Sequence, residues 1–534
     1  MKKLLTLASA MFLAGGLAAC GGQNQPQQGA QAPNVTTETG NLQPEAPDLG
    51  GEVSFRSSIR IGQSTDIPSN APFGNSNIQT GITTNSTFSR LVNINTDDFS
   101  IEPSLATSWE ANEDSTVWTF HLRDDVVFHN GAPFVAEDVR FTFEFAGSTD
   151  NDGINFPIIG STFIDNIVVE NDHTVTFYLN RSTADWLFYA SQKIMSYSTV
   201  QSMGIEAGGP IGTGPFVFTN HEPGVSWTLN RFDGYWGELP VTEELVFIVI
   251  NDAAARSLAL EAGDVDAIFA PATVDIPRFL ANDNFNVFRG DNLSNIFLGI
   301  NTQRPAGSDM RIRQALAMAV NRDDLVFAVF EGGQVGAPSY NFINDVSPGF
   351  ATVTAHPLDL EAAKALLAEA GYDANNRLQL QLYTFGLFMP MAEMIQFSLS
   401  LINVDVVITE WAQSGFSANI REDGGFDLYI QQTSSVGGVL NIVQRFLTAG
   451  GPSNLKGYNS PRMEELFRNA IEAGTLEDML SYYAQIQEHL AYEVPVVPLV
   501  QQYLWTIGSA NFFDVHLGNQ NYTVNFSNSF VIEG

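Results

Sequence analysis

Val117-Trp-Thr-Phe-His-Leu122, followed without a break by Arg123-Asp-Asp-Val-Val-Phe128-His-Asn-Gly131-Ala-Pro-Phe-Val-Ala-Glu137-Asp138-Val139, is the stretch from which the fold is read. Its first six residues place Trp118, Phe120 and Leu122 on one side and Thr119 and His121 on the other, the period of two that marks a half-buried strand. His121 falls on the polar side, so it reads as solvated surface. Thr174 to Leu179 and Leu378 to Tyr383 repeat the pattern. Other segments carry the helical period. Pro461 to Ala473 lines up Met463, Leu466, Phe467, Ala470 and Ile471 on one face, starts on Ser460-Pro461 and stops at Gly474. Asp359 to Ala370, closed by Gly371, and Met310 to Val320, preceded by Ser308-Asp309, are two more. Strands and helices mixed from residue 51 to the end make an α/β or α+β protein of more than one lobe.

Length and charge bound the rest. A chain of 534 residues is too long for one hydrophobic core, since single cores stop growing at about 250–300 residues. Lys and Arg number 24 against 59 Asp and Glu, a formal charge of −35. A surface of that sign repels phosphate backbones, which excludes nucleic acid and disfavours an anionic membrane surface as partner. Lys occurs only at Lys2, Lys3, Lys193, Lys364 and Lys456. The hydrophobic share of 44% is a globular one, so the acidity belongs to a hydrated surface and not to wholesale disorder.

The N-terminus places that surface. Lys2 and Lys3 precede an apolar run from Leu4 to Leu17 and then small residues, the layout of a secretory signal over residues 1–19. The run is shorter than the ~20 residues a membrane-spanning helix needs. Leu17-Ala18-Ala19-Cys20-Gly21 resembles the lipobox of bacterial lipoproteins, which implies cleavage before Cys20 and lipidation of its sulfur. Cys20 is the one cysteine, so the mature chain forms no internal disulfide. Residues 20–50 are rich in Gln, Pro, Gly and Ala and lack aromatic residues, Lys and Arg, the composition of a flexible tether. The expected location is extracytoplasmic, at the periplasm or cell surface, held to the membrane by lipid alone.

Motifs of catalysis do not appear. No Gly-x-Ser-x-Gly elbow occurs, and no Lys has the neighbours of a phosphate loop. Gly212-Thr213-Gly214-Pro215 lacks a third Gly, and Pro215 would block the helix of a dinucleotide site, so it reads as a turn. The seven His show no metal-site spacing, and acidic pairs such as Asp124-Asp125, Glu243-Glu244 and Asp323-Asp324 are expected by chance among 59 acids. The expectation is no enzyme, no cofactor and no metal.

A set of ordered blocks resembles one family. Pro103-Ser-Leu-Ala-Thr-Ser-Trp109-Glu110 with the stretch 117–139 is similar to the signature of family 5 solute-binding proteins, the peptide, dipeptide and nickel receptors of ABC importers. The resemblance continues at Ile211 to Phe216, Asn230 to Gly237, Asp252 to Asp266, Asn301, Arg311 to Arg322, Ala362 to Tyr372 and Tyr458 to Pro461.

What the resemblance implies is an α/β, two-lobed, periplasmic-binding-protein-like fold of the large cluster C type with a hinge between the lobes. Lobe I would be discontinuous, 51–299 plus 505–534, and lobe II would be 300–504. The chain crossings would lie near Gly299-Ile-Asn301 and Pro498 to Trp505. Trp109, Trp118 and Trp236 would fill the core of lobe I. The function implied is capture of a peptide-like or other polar solute between lobes by a monomer, and delivery to ABC permease subunits. An extracytoplasmic hydrolase, or a sensory or chaperone-like receptor on the same fold, is the alternative. In peptide receptors of the family a Trp followed three residues later by Asp holds the peptide amine; here, after Gly425-Phe426-Asp427, those positions read Ser434 and Gly437. A buried ammonium without a carboxylate is costly. The loop instead offers Gln431, Gln432, Thr433, Ser434 and Ser435, with Trp411 beside it, a neutral hydrogen-bonding and stacking set suited to a sugar, a blocked peptide or another polar neutral solute.

Overall fold

The alternating stretch at 117–122 is a strand in the structure, a computed structural model that describes residues 42–46, 53–72, 78–95, 100–147, 163–182, 186–329, 336–345, 347, 349–354, 356–413, 415–433, 438–473, 475–518 and 523–533. The signal and tether, with Cys20, lie outside the described residues. So do Ser434, Ser435 and Gly437.

In chain order the N-terminal strands are β1 (Ser58–Gln63), β2 (Val92–Ile94), β3 (Ile101–Pro103), β4 (Ala106–Ala111), β5 (Val117–Leu122), β6 (Ile164–Asn171) and β7 (Thr174–Leu179). β2 and β3 form a small antiparallel ladder, and β4-β5-β7-β6 make a four-stranded antiparallel sheet. The alternation read from sequence decides which face is covered. Phe120 and Leu122 are buried while His121 is exposed. Phe120, Phe143 and Phe177 meet edge to face at ring centroids of 5.5 and 4.9 Å, and Trp186 closes the cluster. Each such side chain contributes roughly 2–3 kcal/mol by leaving water. Trp109, Trp118 and Trp236 pack half-buried against the rim of this core and do not fill its centre. The indole N–H groups explain the position of two of them. Trp118 donates to the Ser115 carbonyl and Trp236 to Ser89 Oγ, bonds that hold each ring at the rim.

The remaining strands are β8 (Phe216–Glu222), β9 (Ser226–Arg231), β10 (Glu244–Val249), β11 (Ala267–Phe269), β12 (Phe285–Ile300), β13 (Gly336–Pro338), β14 (Leu378–Phe385), β15 (Val404–Trp411), β16 (Leu428–Gln432) and β17 (Val496–Ser509). With β1 they build an eleven-stranded sheet in the order β15-β14-β16-β12-β17-β11-β1-β10-β9-β8, β13 pairing with β17 off that path. β12 and β17 are its spine. β12 alone has 16 residues and spans about 50 Å at ~3.3 Å per residue. Its first part pairs with the end of β17 next to β11, and its last part pairs with the start of β17 and with β16.

Between the two parts the ladder breaks. Asp291 pairs with Tyr503 and Asn295 with Gln501, so residues 292–294 of β12 stand opposite Gln502 alone. A bulge of this kind bends the strand and raises its twist. The break on β12 thus lies before Gly299, where the sequence places the crossing. Gly299 sits in unbroken ladder between Tyr429 and Val496, and a Cβ there would stand 2.2 Å from the Tyr429 ring. Its role is close packing and not bending.

The helices follow their caps. Pro461–Ile471 begins at Ser460, whose Oγ accepts from Met463 N; Leu360–Glu369 begins at Asp359, which accepts from Ala362 N; Met310–Ala319 begins at Asp309, which accepts from Arg311 N. Arg311 pairs with Asp309 at 2.6 Å, as a local partner. The Gly212 to Pro215 turn is explained by contact: a Cβ on Gly212 would lie 2.1 Å from the Thr87 carbonyl oxygen, and one on Gly214 2.5 Å from the Thr87 carbonyl carbon. These glycines let the turn lie against the end of helix Ile78–Thr87.

Candidate functional site

Strand direction locates the site before any side chain does. β11 and β12 both run antiparallel to β17, so they share a direction, and β1 and β10 run parallel with β11. β16 runs antiparallel to β12, with β14 and β15 parallel to it. The carboxyl ends of β1, β10 and β11 and those of β14, β15 and β16 therefore both point toward the stretch where β12 and β17 break register. Open α/β sheets bind ligands outside the carboxyl ends of parallel strands, where strand direction switches. Here two such edges converge on one crossing.

Partnerless polar atoms collect at the crossing. At the end of β1 Gln63 is fully buried and neither atom of its amide has a protein partner among the described residues. The same is true of Asn295 Oδ1 on β12, Gln431 Oε1 on β16, Trp411 Nε1 on β15, and Trp505 Nε1 and Thr506 Oγ1 on β17. Buried polar groups are hydrogen-bonded in the great majority of cases, and each lapse costs about 1–3 kcal/mol. A run of donors and acceptors left open on converging strand ends is what a solute with hydroxyl or amide groups would fill.

The sequence-predicted residues divide in their placement. Register puts Trp411 beside Phe385, and the Trp411 ring lies 5.5 Å from that of Tyr383. Gln431 shares this region, its Nε2 donating to Ser417 Oγ at 3.0 Å while its Oε1 is open. Gln432, one residue on, takes the opposite face, where its Nε2 donates to Gln502 Oε1 at 2.7 Å. Thr433 is turned into the sheet: its hydroxyl accepts from Asn295 N at 3.1 Å, and Ser294 Oγ donates to its carbonyl. It braces the broken part of β12. Gln63, Asn295, Trp505 and Thr506 escape sequence reasoning, because only long-range pairing brings them to the crossing.

Charge is held at the margins of this cluster. Asp427 accepts from Arg304 Nε at 3.0 Å and from Gln381 N at 2.8 Å, so the Gly425-Phe426-Asp427 motif fastens strands and is not aimed at a ligand. Beyond β1, burial pushes the Asp66 carboxyl up, but bonds from Gly224 N, His221 and Ile67 N outweigh it and hold it below the usual range. Tyr383 donates to Asp423 at 2.7 Å, which pushes its hydroxyl up to about 12 and keeps it a neutral donor. No group of three or more His, Cys, Asp or Glu able to hold a metal occurs among the described residues. No described helix is long and apolar enough to cross a membrane. A cavity of about 630 Å³ opens elsewhere, beside β2 and the end of the helix Ile78–Thr87, and none of the crossing residues lines it. The convergence of strand ends is the stronger guide to the main site, since it follows from the topology of the whole sheet.

Comparison with known proteins bears on the family and the fold. Residues 100–452 match the family described as bacterial extracellular solute-binding proteins, family 5 Middle. The chain is 30% identical over 365 residues to the dipeptide-binding protein of Escherichia coli, covering 61% of this chain and 66% of that one. It is 26% identical over 461 residues to heme-binding protein A of Haemophilus influenzae, covering 77% and 81%. Among solved structures, the ABC transporter substrate-binding protein CtaP of Listeria monocytogenes superposes with a TM-score of 0.80 at 20% identity, over 90% of this chain and all of that one.

Proposed function

The chain belongs to the bacterial extracellular solute-binding proteins of family 5, and on that premise we propose that it captures a neutral polar solute at the crossing of β12 and β17 and delivers it to the permease of an ABC importer. The observation that carries the solute class is the open set on the strand ends around the crossing, Gln63 and Thr506 on one face of the sheet by β17's end, Trp505 on the other, and Asn295, Trp411 and Gln431 beyond, in which no member is charged. Amides and a hydroxyl meet hydroxyl or amide groups, and the half-buried indole of Trp411 supplies flat apolar surface, an arrangement fit for a sugar or a blocked peptide.

Closure follows from the same place. The lobes 51–299 with 505–534 and 300–504 would turn about the chain crossings between them, on the β12–β17 ladder next to the bulge at 292–294, and the solute would favour the closed arrangement by bonding to both strand edges at once. Cys20 would carry the lipid, and the tether of residues 20–50 would keep the receptor at high effective concentration near its permease. The reading is of binding without turnover.

Calorimetry and thermal shift with a neutral disaccharide, an N-acetylated dipeptide amide and a free dipeptide test it. A neutral ligand at a hundred times its Kd should stabilise the fold by about 2.7 kcal/mol and be recovered unchanged. Preference for the free dipeptide, with its amine held by a carboxylate in the crystal, would sink the neutral-solute reading; recovery of cleaved ligand would sink the receptor reading.

A further inference from the structure

We infer that the cavity lined by Arg90 and Lys193 is a second ligand site, separate from the crossing, that takes the carboxylate of a small organic acid. Arg90 and Lys193 are paired across an isolated antiparallel bridge, which sets their side chains on the same side. Like charges directly opposite one another repel. In a chain with 59 acids, two of the few cations have been brought together, and among the described residues neither forms an ion pair with a carboxylate. Lys193 Nζ donates to Thr84 Oγ1 at 2.6 Å and Arg90 Nη1 to the Ser191 carbonyl at 2.7 Å. These neutral acceptors hold the two groups in place without cancelling their charge.

The surroundings point to an anion with an organic body. Both cations are deep in the fold yet partly open to the cavity, whose volume is about 630 Å³, within the range of ~300–1,000 Å³ that accommodates small-molecule ligands. Asn85 Nδ2 and Ser191 Oγ, also on the lining, are buried without a partner among the described residues. Phe88, Trp236 and Phe530 supply aromatic wall, too much apolar surface for a bare inorganic ion. The carboxylates on the lining, Glu238 and Asp514, bond to neither cation, and burial holds Asp514 above the usual range. Burial, with Arg90 adding repulsion, holds Lys193 well below its ordinary value, so an arriving carboxylate restores the charged form.

The test is calorimetry on the whole folded chain, dialysed into chloride buffer at neutral pH, with phenylacetate, succinate and inorganic phosphate as probes. One equivalent of phenylacetate or succinate should bind, at least about tenfold more tightly than phosphate, and Lys193→Met should weaken that binding by about tenfold or more. Without ligand, Lys193→Met should keep or raise the melting temperature, because it removes a buried amine that burial and Arg90 make costly to charge; Arg90→Gln should do the same by lifting that repulsion. No binding of either acid at about 10 mM, phosphate binding as well as the acids, or undiminished binding by Lys193→Met would overturn the assignment. A clear fall in melting temperature for Lys193→Met would overturn it too, by showing that the ammonium is already satisfied. None of these results bears on the crossing site.

Discussion

The crossing and the Arg90–Lys193 cavity both expose unfinished polar chemistry, and they differ in kind. At the crossing the open groups are amides, an hydroxyl and indole N–H, spread over five strands of one sheet. In the cavity they are two cations on one bridge, between the β2–β3 ladder and the end of the helix Ile78–Thr87. An open amide costs about 1–3 kcal/mol, which a stable domain can bear at several positions. An unpaired buried charge is much more expensive, so the group shifts its protonation or waits for a counter-ion. Neutral sites can therefore be assembled by shape from many elements, whereas a charged one must be local and tightly backed.

The largest expected effect comes from exchanging lesions between the two sites. Trp411→Ala or Gln431→Leu should weaken the crossing solute by about ten- to a hundredfold, the usual loss for a stacking ring or a hydrogen bond to a buried partner, and leave carboxylate binding within about twofold. Lys193→Met should do the reverse. If one lesion reduces both ligands equally in calorimetry, the sites are one, and the comparison collapses.

Backbone packing comes next. Gly214→Val would drive atoms into the Thr87 backbone, and Gly299→Ala would meet the Tyr429 ring. Overpacking typically costs about 1–3 kcal/mol, more where backbone must move, so Gly214→Val should be the more damaging in denaturant unfolding. Gly299→Ala should lower solute affinity through β16 while sparing the carboxylate cavity. Equal stability loss for both would show that the Thr87 contact can relax.

How much of this is legible in sequence follows from the range of the interactions. Val117–Leu122, Thr174–Leu179 and the capped helices are set by periods of two and 3.6 and by neighbouring caps, so they are found at their expected places. Trp411 and Gln431 are reached through family resemblance and do stand at the strand ends. Gln63, Asn295 and Thr506 are not, since nothing near them in the chain says that β1, β12 and β17 meet. The packing role of Gly299, which makes room for the Tyr429 ring, is not legible either, since only long-range pairing brings β16 against it. Lys193 stands out only by the rarity of Lys, and its partner Arg90 is distant in sequence.

Salt separates the sites by a smaller factor. Raising ionic strength from about 0.05 to 0.5 M shortens the screening length to a few Å, which should weaken carboxylate binding several-fold and leave the crossing solute almost unchanged. A salt-dependent crossing ligand would mean that a charge at the margin, such as Asp66, takes part in binding.

The smallest effect is one of pH, and it arises from two opposed terms away from the crossing. His129, half-buried and bonded through Nε2 to the Gly214 carbonyl, is lowered by its partial burial to about 4. Being neutral in the fold, it stabilises fully above pH 6.5, and that contribution drains away as pH falls toward 4. Asp138 is raised by burial to about 6, although Val135 N and Tyr197 N donate to it. It favours the fold when protonated, so its contribution grows as pH falls from 6 toward 3.8. Each is worth up to about 3 kcal/mol, with opposite slopes over nearly the same window. The wild type should therefore show a nearly flat melting temperature from pH 6 to 4.5. Asp138→Asn removes the rising term and should expose the His129 slope, a steady loss of stability on acidification followed by calorimetry. His129→Gln should show the mirror image, a gain. Since no such titrating pair lies at the crossing among the described residues, solute affinity there should not follow either slope, and a crossing ligand that tracks them would tie the two regions into one unit.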